Sequence, residues 1–112
     1  MDEAPPASDI ERVERFCLTR VPTTLHDEVR LDVVVADGGI EIHEARPVFA
    51  GASAGWTTMP LARFAYEPDG TYTLYSGNSD GGWDYYLDLE QNQILEVLID
   101  EVDQDPTSVF WG

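Results

Sequence analysis

The chain has 112 residues and no lysine. Its 6 basic residues are all arginine and stand against 22 Asp and Glu, a formal net charge of −16 at pH 7. So acidic a chain repels phosphate backbones and anionic lipid headgroups, which argues against nucleic acid and membrane surfaces as partners. Cysteine is nearly absent too. Cys17 stands alone, so neither an internal disulfide nor a thiolate metal cluster can form. No apolar run approaches the roughly 18 residues of a membrane span, and no basic-then-apolar signal opens the chain. The cytoplasm is the expected compartment. The acidity has two candidate origins: adaptation to a salty cytoplasm, or a genome composition that uses Arg in place of Lys.

What is present suits one folded domain. Hydrophobic residues make up 43%, with three Trp, five Tyr and four Phe. A chain of this length buries roughly two-thirds of its unfolded surface, enough for one core without staples. Residues 1–7 hold Asp2, Glu3, Pro5 and Pro6 and read as a disordered lead before a single domain at 8–112. Ser8 and Glu11 have capping-box spacing. Ile10, Val13, Phe16, Cys17 and Val21 then follow at helical spacing, and Pro22 stops the helix near Arg20. Residues 29–36 alternate. Asp37-Gly38 predicts a two-residue hairpin that sets Val35 against Ile40, Val33 against Ile42, Asp32 against His43 and Leu31 against Glu44. This second strand ends at Arg46-Pro47, and the Gly/Ala/Ser-rich stretch 49–55 reads as a mobile loop.

The most informative turn is Glu67-Pro68-Asp69-Gly70, which closes a three-residue hairpin loop with a Gly bulge. It sets Tyr66 against Tyr72, Phe64 against Leu74 and Arg63 against Tyr75. One face then carries Ala62, Phe64, Tyr66, Tyr72 and Leu74. The other carries Arg63, Ala65, Glu67, Thr71, Thr73 and Tyr75. A one-residue slip would bury the charges, so the pattern specifies its own register. Residues 83–86 form a last short strand. Asp88 and Gln91 have the spacing of a second cap, and Ile94, Leu95, Leu98 and Val102 form the stripe of a closing helix that ends at Asp105-Pro106. The terminal Val-Phe-Trp-Gly should fold back on the core. The expected class is α+β: an N-terminal helix, a five-stranded antiparallel meander and a C-terminal helix, as two layers of helix on sheet.

Several motifs recur together: RFC-x2-RVP at residues 15–22, E-x-R-P at 44–47, and WT-x2-P-x-ARF-x-Y at 56–66. TLY at 73–75, W-x2-Y at 83–86 and the ending EVDQDPTSVFWG complete the set. In this order they resemble the bacterial proteins of domain-of-unknown-function family 3024, over nearly all of the chain after Ser8. The chain departs from that pattern in lacking Lys and in a loop richer in Gly and Ala before Trp56. The resemblance implies one domain and a bacterial source. The family has no established activity, so it carries over no catalytic residue.

Arg46 and Arg63 are the only bases after Arg30. They suggest an anion or carboxylate pocket that also uses Glu44, with Trp56, Tyr75 and Trp83 as walls. The competing reading is structural: Arg46 paired with Glu44 or Glu41, and Arg63 packed across Tyr75. His43, Glu41, Glu44 and Asp32 are the metal-ligand types present. Glu41 and His43 alternate onto one strand face while Glu44 points to the other, so neither metal nor cofactor is expected. Cys17 lies on an apolar helix stripe, and no serine sits in a nucleophile context such as G-x-S-x-G, so no catalytic residue is assigned. The expected function is a small binding or protein-interaction module, partnered by another protein or by a second copy through an edge strand or the open face. The alternative is a small-anion binder or enzyme that uses Arg46 and Arg63.

The net charge of −16 implies self-repulsion in the folded state, which added ions screen. The thermal midpoint should therefore rise between low and moderate NaCl. A flat or falling midpoint in a calorimetric salt series would show that the carboxylates are locally balanced.

Overall fold

The structure, a computed structural model, describes residues 4–48, 55–90 and 92–111. In chain order the elements are α1 (Ala7–Arg20), a 3-10 turn at Thr23–Leu25, β1 (Arg30–Ala36), β2 (Gly39–Val48) and β3 (Gly55–Tyr66). Then come β4 (Tyr72–Gly77), β5 (Trp83–Tyr85) and α2 (Leu95–Gln104). The strands form one antiparallel sheet in the order β1-β2-β3-β4-β5, so the expected α+β meander is what forms.

Both turn-defined hairpins have the register their sequences require. Asp37 and Gly38 lie at φ 49 and 74, the conformation of a type I′ turn. Val35 then pairs with Ile40, Val33 with Ile42, Asp32 with His43 and Leu31 with Glu44. At the second turn the Gly70 N–H donates to Glu67 O (3.0 Å) and the Glu67 N–H to Thr71 O (2.9 Å). Thr71 donates its N–H and its hydroxyl to Asp69 Oδ1, and these bonds hold the Asp69 carboxyl below the usual carboxylate range. Tyr66 pairs with Tyr72, Phe64 with Leu74 and Arg63 with Tyr75.

The β2–β3 pairing joins the two hairpins and carries a bulge. Ile42 opposes Ala62 but His43 opposes Pro60, which leaves Leu61 as an extra residue on β3. A bulge is where a strand tolerates proline, which has no N–H for the ladder. Both helices pack on one face. Val13 and Cys17 from α1 and Leu95, Leu98 and Val102 from α2 meet Ile40, Ile42, Ala62, Phe64, Tyr72 and Leu74 of the sheet. Each large apolar side chain buried there contributes about 1.5–3 kcal/mol. Two tyrosines bring hydroxyls into this layer. Tyr72 donates to Asp9 Oδ2 (2.7 Å) and Tyr86 to Glu101 Oε2 (2.6 Å). Burial first, and then these bonds, raise both phenols above the ordinary tyrosine value.

The helix starts differ from the sequence reading. Ser8 and Glu11 form no capping box. α1 begins at Ala7 with Pro6 at its N-cap, and Pro6 O takes the Asp9 and Ile10 N–H groups without a side-chain cap. Proline's fixed φ suits a helix entry, so the turn starts one residue before Ser8 can cap it. Nor does a helix start at Asp88; Gln91, its proposed capping partner, lies outside the described residues. Instead Gln93 bridges Tyr72 through two backbone hydrogen bonds (2.9 and 3.1 Å), which keeps this segment extended until Ile94. As the N-cap, Ile94 is exposed and leaves the stripe to Leu95, Leu98 and Val102. Of the expected lead, residues 1–3 lie outside the description, Pro5 is buried and Ala7 already belongs to α1. Residues 49–54 of the expected loop also lie outside it.

The C-terminal segment is docked. Asp105 ends α2 in the left-handed region (φ 47). Its carboxylate accepts the backbone N–H groups of Phe110 (3.1 Å) and Trp111 (2.8 Å). Phe110 is buried against Tyr86, the Trp111 indole donates to Val102 O (2.7 Å), and the Arg20 guanidinium lies 4.2 Å above the ring. Trp111→Ala should lower stability by about 3 to 5 kcal/mol. Deletion of residues 109–112 should also lower the midpoint of urea unfolding, and unchanged stability in both variants would contradict the docked geometry.

Candidate functional site

The face of the sheet away from the helices carries the chemically richest cluster. Along β2, Glu41, His43 and Ala45 point to it, and the register adds Arg30 and Asp32 from β1, Trp56 and Arg63 from β3, and Tyr75 from β4. Glu41 is central and 9% exposed. One of its oxygens lies 2.9 Å from His43 Nε2; the other accepts from Arg63 Nη1 at 2.6 Å. Arg63 also donates to Ala36 O (2.9 Å) and Asp37 O (2.8 Å), so one guanidinium joins β2, β3 and the β1–β2 turn. Gly39 makes room for it: a Cβ there would lie 2.7 Å from Arg63 Cζ. A buried carboxylate is costly unless it is paired and hydrogen-bonded, and here it is both.

Aromatic rings surround this pair. Trp83 meets His43 edge-on at 5.9 Å, and Tyr75 lies 5.5 Å from Tyr85. Trp56 stacks under Arg30, whose Cζ is 3.9 Å from the ring centre and whose buried Nε has no hydrogen-bond partner among the described residues. The β4–β5 loop places Trp83. Asn78 Oδ1 accepts the N–H groups of Asp80 (3.0 Å) and Gly82 (2.9 Å), which closes a tight loop just before the strand. At the other end of β4, Thr73 donates to Glu67 Oε2 (2.6 Å).

Of the six residues proposed from sequence, the fold brings four to this face: Trp56, Arg63, Tyr75 and Trp83. Glu44 and Arg46 lie on the opposite face. They share a pleat side with Leu31, and Arg46 Nε donates to Glu44 Oε1 at 2.8 Å. That bond, with the nearby negative charge, raises the Arg46 pKa further. A pocket joining Arg46 to Arg63 is therefore not assembled, since the sheet lies between them. Sequence reasoning left out Arg30 and Tyr85, treated His43 as a metal-ligand type, and offered Glu41 as a metal ligand or a partner of Arg46, whereas its partner is Arg63 and Arg46 bonds Glu44. The signal for Glu41 is its match to Arg63, but finding it needs the β2–β3 register across the Leu61 bulge.

Other chemistry has less support. Among the described residues no group of three or more His, Cys, Asp or Glu is placed to hold a metal ion. Burial pushes the Cys17 thiol up to about 12, with Glu14 and Asp32 adding to the shift, so it is no activated nucleophile. No helix is long and apolar enough to cross a membrane.

Arg63→Met should cost roughly 3 kcal/mol, because it leaves Glu41 buried without its cation. The double variant Glu41→Gln/Arg63→Met should recover part of that loss in urea unfolding. Equal stabilities for the single and double variants would show that the pair does not carry the energy assigned to it.

No curated protein and no solved structure matches the chain. The family described as Domain of unknown function (DUF3024) matches residues 1–112, the whole chain. Its helix–meander–helix domain, with one face covered and an aromatic face opposite, belongs to that family.

Proposed function

We propose that the protein is a binding module whose working surface is the helix-free face of the sheet, and that its partner is another protein. One observation carries this reading. The polar groups at the centre of that face are already paired with one another, while Trp56 (40% exposed) and Tyr85 (47% exposed) remain open to solvent at two places on it. Half-exposed Trp and Tyr are the residues that protein interfaces concentrate, because they bury large areas at little entropic cost. A sheet face is broad and shallow, which suits a protein surface better than a small molecule. Both Nη atoms of Arg63 are engaged, so an incoming anion would have to displace Glu41 or the turn carbonyls. The charge of −16 favours a partner with a basic contact surface through faster encounter.

The test compares wild type with Trp56→Ser/Tyr85→Ser. Both positions are exposed, so the variant should fold, with a far-UV spectrum like wild type. Wild type purified from its own cells by a mild tag should retain a stoichiometric partner that the variant loses, and binding of that purified partner should weaken as salt is raised. Equal retention by the two proteins would remove this face from the interaction.

A further inference from the structure

The two edges of the sheet are unlike. β5 is three residues long, whereas β1 runs for seven, with an unbroken register against β2. In a two-residue hairpin the residues beside the turn exchange both hydrogen bonds, here Ala36 and Gly39. Alternation then turns the N–H and C=O groups of Val34, Asp32 and Arg30 toward β2. Those of Leu31, Val33 and Val35 point outward, and no hydrogen bond among the described residues uses them. Proteins blunt such an edge with lysine, proline or a bulge. β1 has none of these. Its charged residues, Arg30 and Asp32, stand near its start, and it ends in Val-Val-Val-Ala, with Val34 and Val35 40% and 47% exposed. The same edge borders a cleft of about 410 Å³ between α1 and β1, whose apolar lining is Leu18, Leu31 and Val33. Leu31 and Val33 face the helices, while Asp32 lies on the helix-free side opposite His43. Asp32 has no hydrogen-bond or ion-pair partner among the described residues.

We infer that β1 is a docking edge for an extended, basic segment of another protein, which adds to the sheet as an antiparallel strand. Backbone hydrogen bonds to Leu31, Val33 and Val35 supply the affinity. An added strand continues the pleat, so every second side chain of the segment stands beside Leu31 and Val33, at the cleft. The cleft therefore selects apolar residues at those positions. The side chains between them fall on the helix-free side, where a basic residue meets Asp32. A second copy of the chain fits less well, because it brings together two molecules of charge −16. This edge is separate from the aromatic face, and its use does not depend on that face.

The probe is the peptide acetyl-Lys-Val-Thr-Val-Lys-Val-Thr-amide, titrated into the ¹⁵N-labelled full chain at fixed ionic strength. Without peptide, the amides of Leu31, Val33 and Val35 should exchange with deuterated water faster than those of Asp32 and Val34. At saturation their exchange should slow by roughly tenfold or more. N-methylation of the valines, whose N–H groups face β1, should abolish binding, and N-methylation of the threonines should not. Serine in place of the valines, or glutamate in place of the lysines, should weaken binding by roughly tenfold. Val35→Pro removes only an outward N–H, so it should keep the wild-type far-UV spectrum and lose the peptide. Asp32→Asn should weaken binding roughly threefold, and Asp80→Asn, at an exposed position away from the edge, should leave it unchanged. Binding that survives N-methylation of the valines, or that leaves the three outward amides unprotected, would overturn the inference. So would a dimer of the peptide-free chain that Val35→Pro dissociates, since the occupant of the edge would then be a second copy.

Discussion

Arg63 makes its bonds in a place where water is scarce. Its side chain and that of Glu41 are 13% and 11% exposed, and together they stand at the junction of β2, β3 and the first turn. Charges so placed are tolerable only with a full set of partners. That requirement constrains the neighbourhood. Gly39 must lack a side chain, the Asp37-Gly38 turn must aim two carbonyls inward, and Glu41 must face the same side as His43. The aromatic rings then pack around a polar centre that needs nothing more from solvent.

The opposite layer meets the same problem with neutral donors. In a chain with 22 acids and 6 bases, carboxylates outnumber cations, so several of them accept from hydroxyl and backbone groups instead. Asp9 takes the Tyr72 hydroxyl, Glu101 that of Tyr86, and Asp105 two backbone N–H groups of the docked tail. Charge-assisted bonds of this kind are stronger than neutral ones and need no counter-ion. They also attach α1, α2 and the C-terminal segment to one another and to the sheet. The few arginines are left for particular tasks: Arg12 pairs with Glu96 between the two helices, and Arg20 covers Trp111.

On the helix-free face Glu41 and Arg63 neutralise each other, while Trp56 and Tyr85 stay partly exposed.

Local chemistry determined much of this by itself. Asp37-Gly38 and Pro68-Asp69-Gly70 fix two turns through backbone φ and side-chain acceptors, and each turn with its alternating flanks fixes a register. Val13 and Cys17, and Leu95, Leu98 and Val102, fix the inward helix faces by spacing alone. The tail could be expected to dock because Pro106 turns the chain before two large aromatics. Tertiary structure decided what depends on distant partners. The Leu61 bulge and the β2–β3 register are set by pairing across the stretch at 49–54, where no turn sequence dictates the offset. Without that register, Glu41 cannot be matched to Arg63, and Arg46 and Arg63 look like neighbours although the sheet separates them. The start of α2 was displaced for the same reason, since the bridge from Gln93 to Tyr72 lies twenty-one residues away in sequence and outcompetes a local cap.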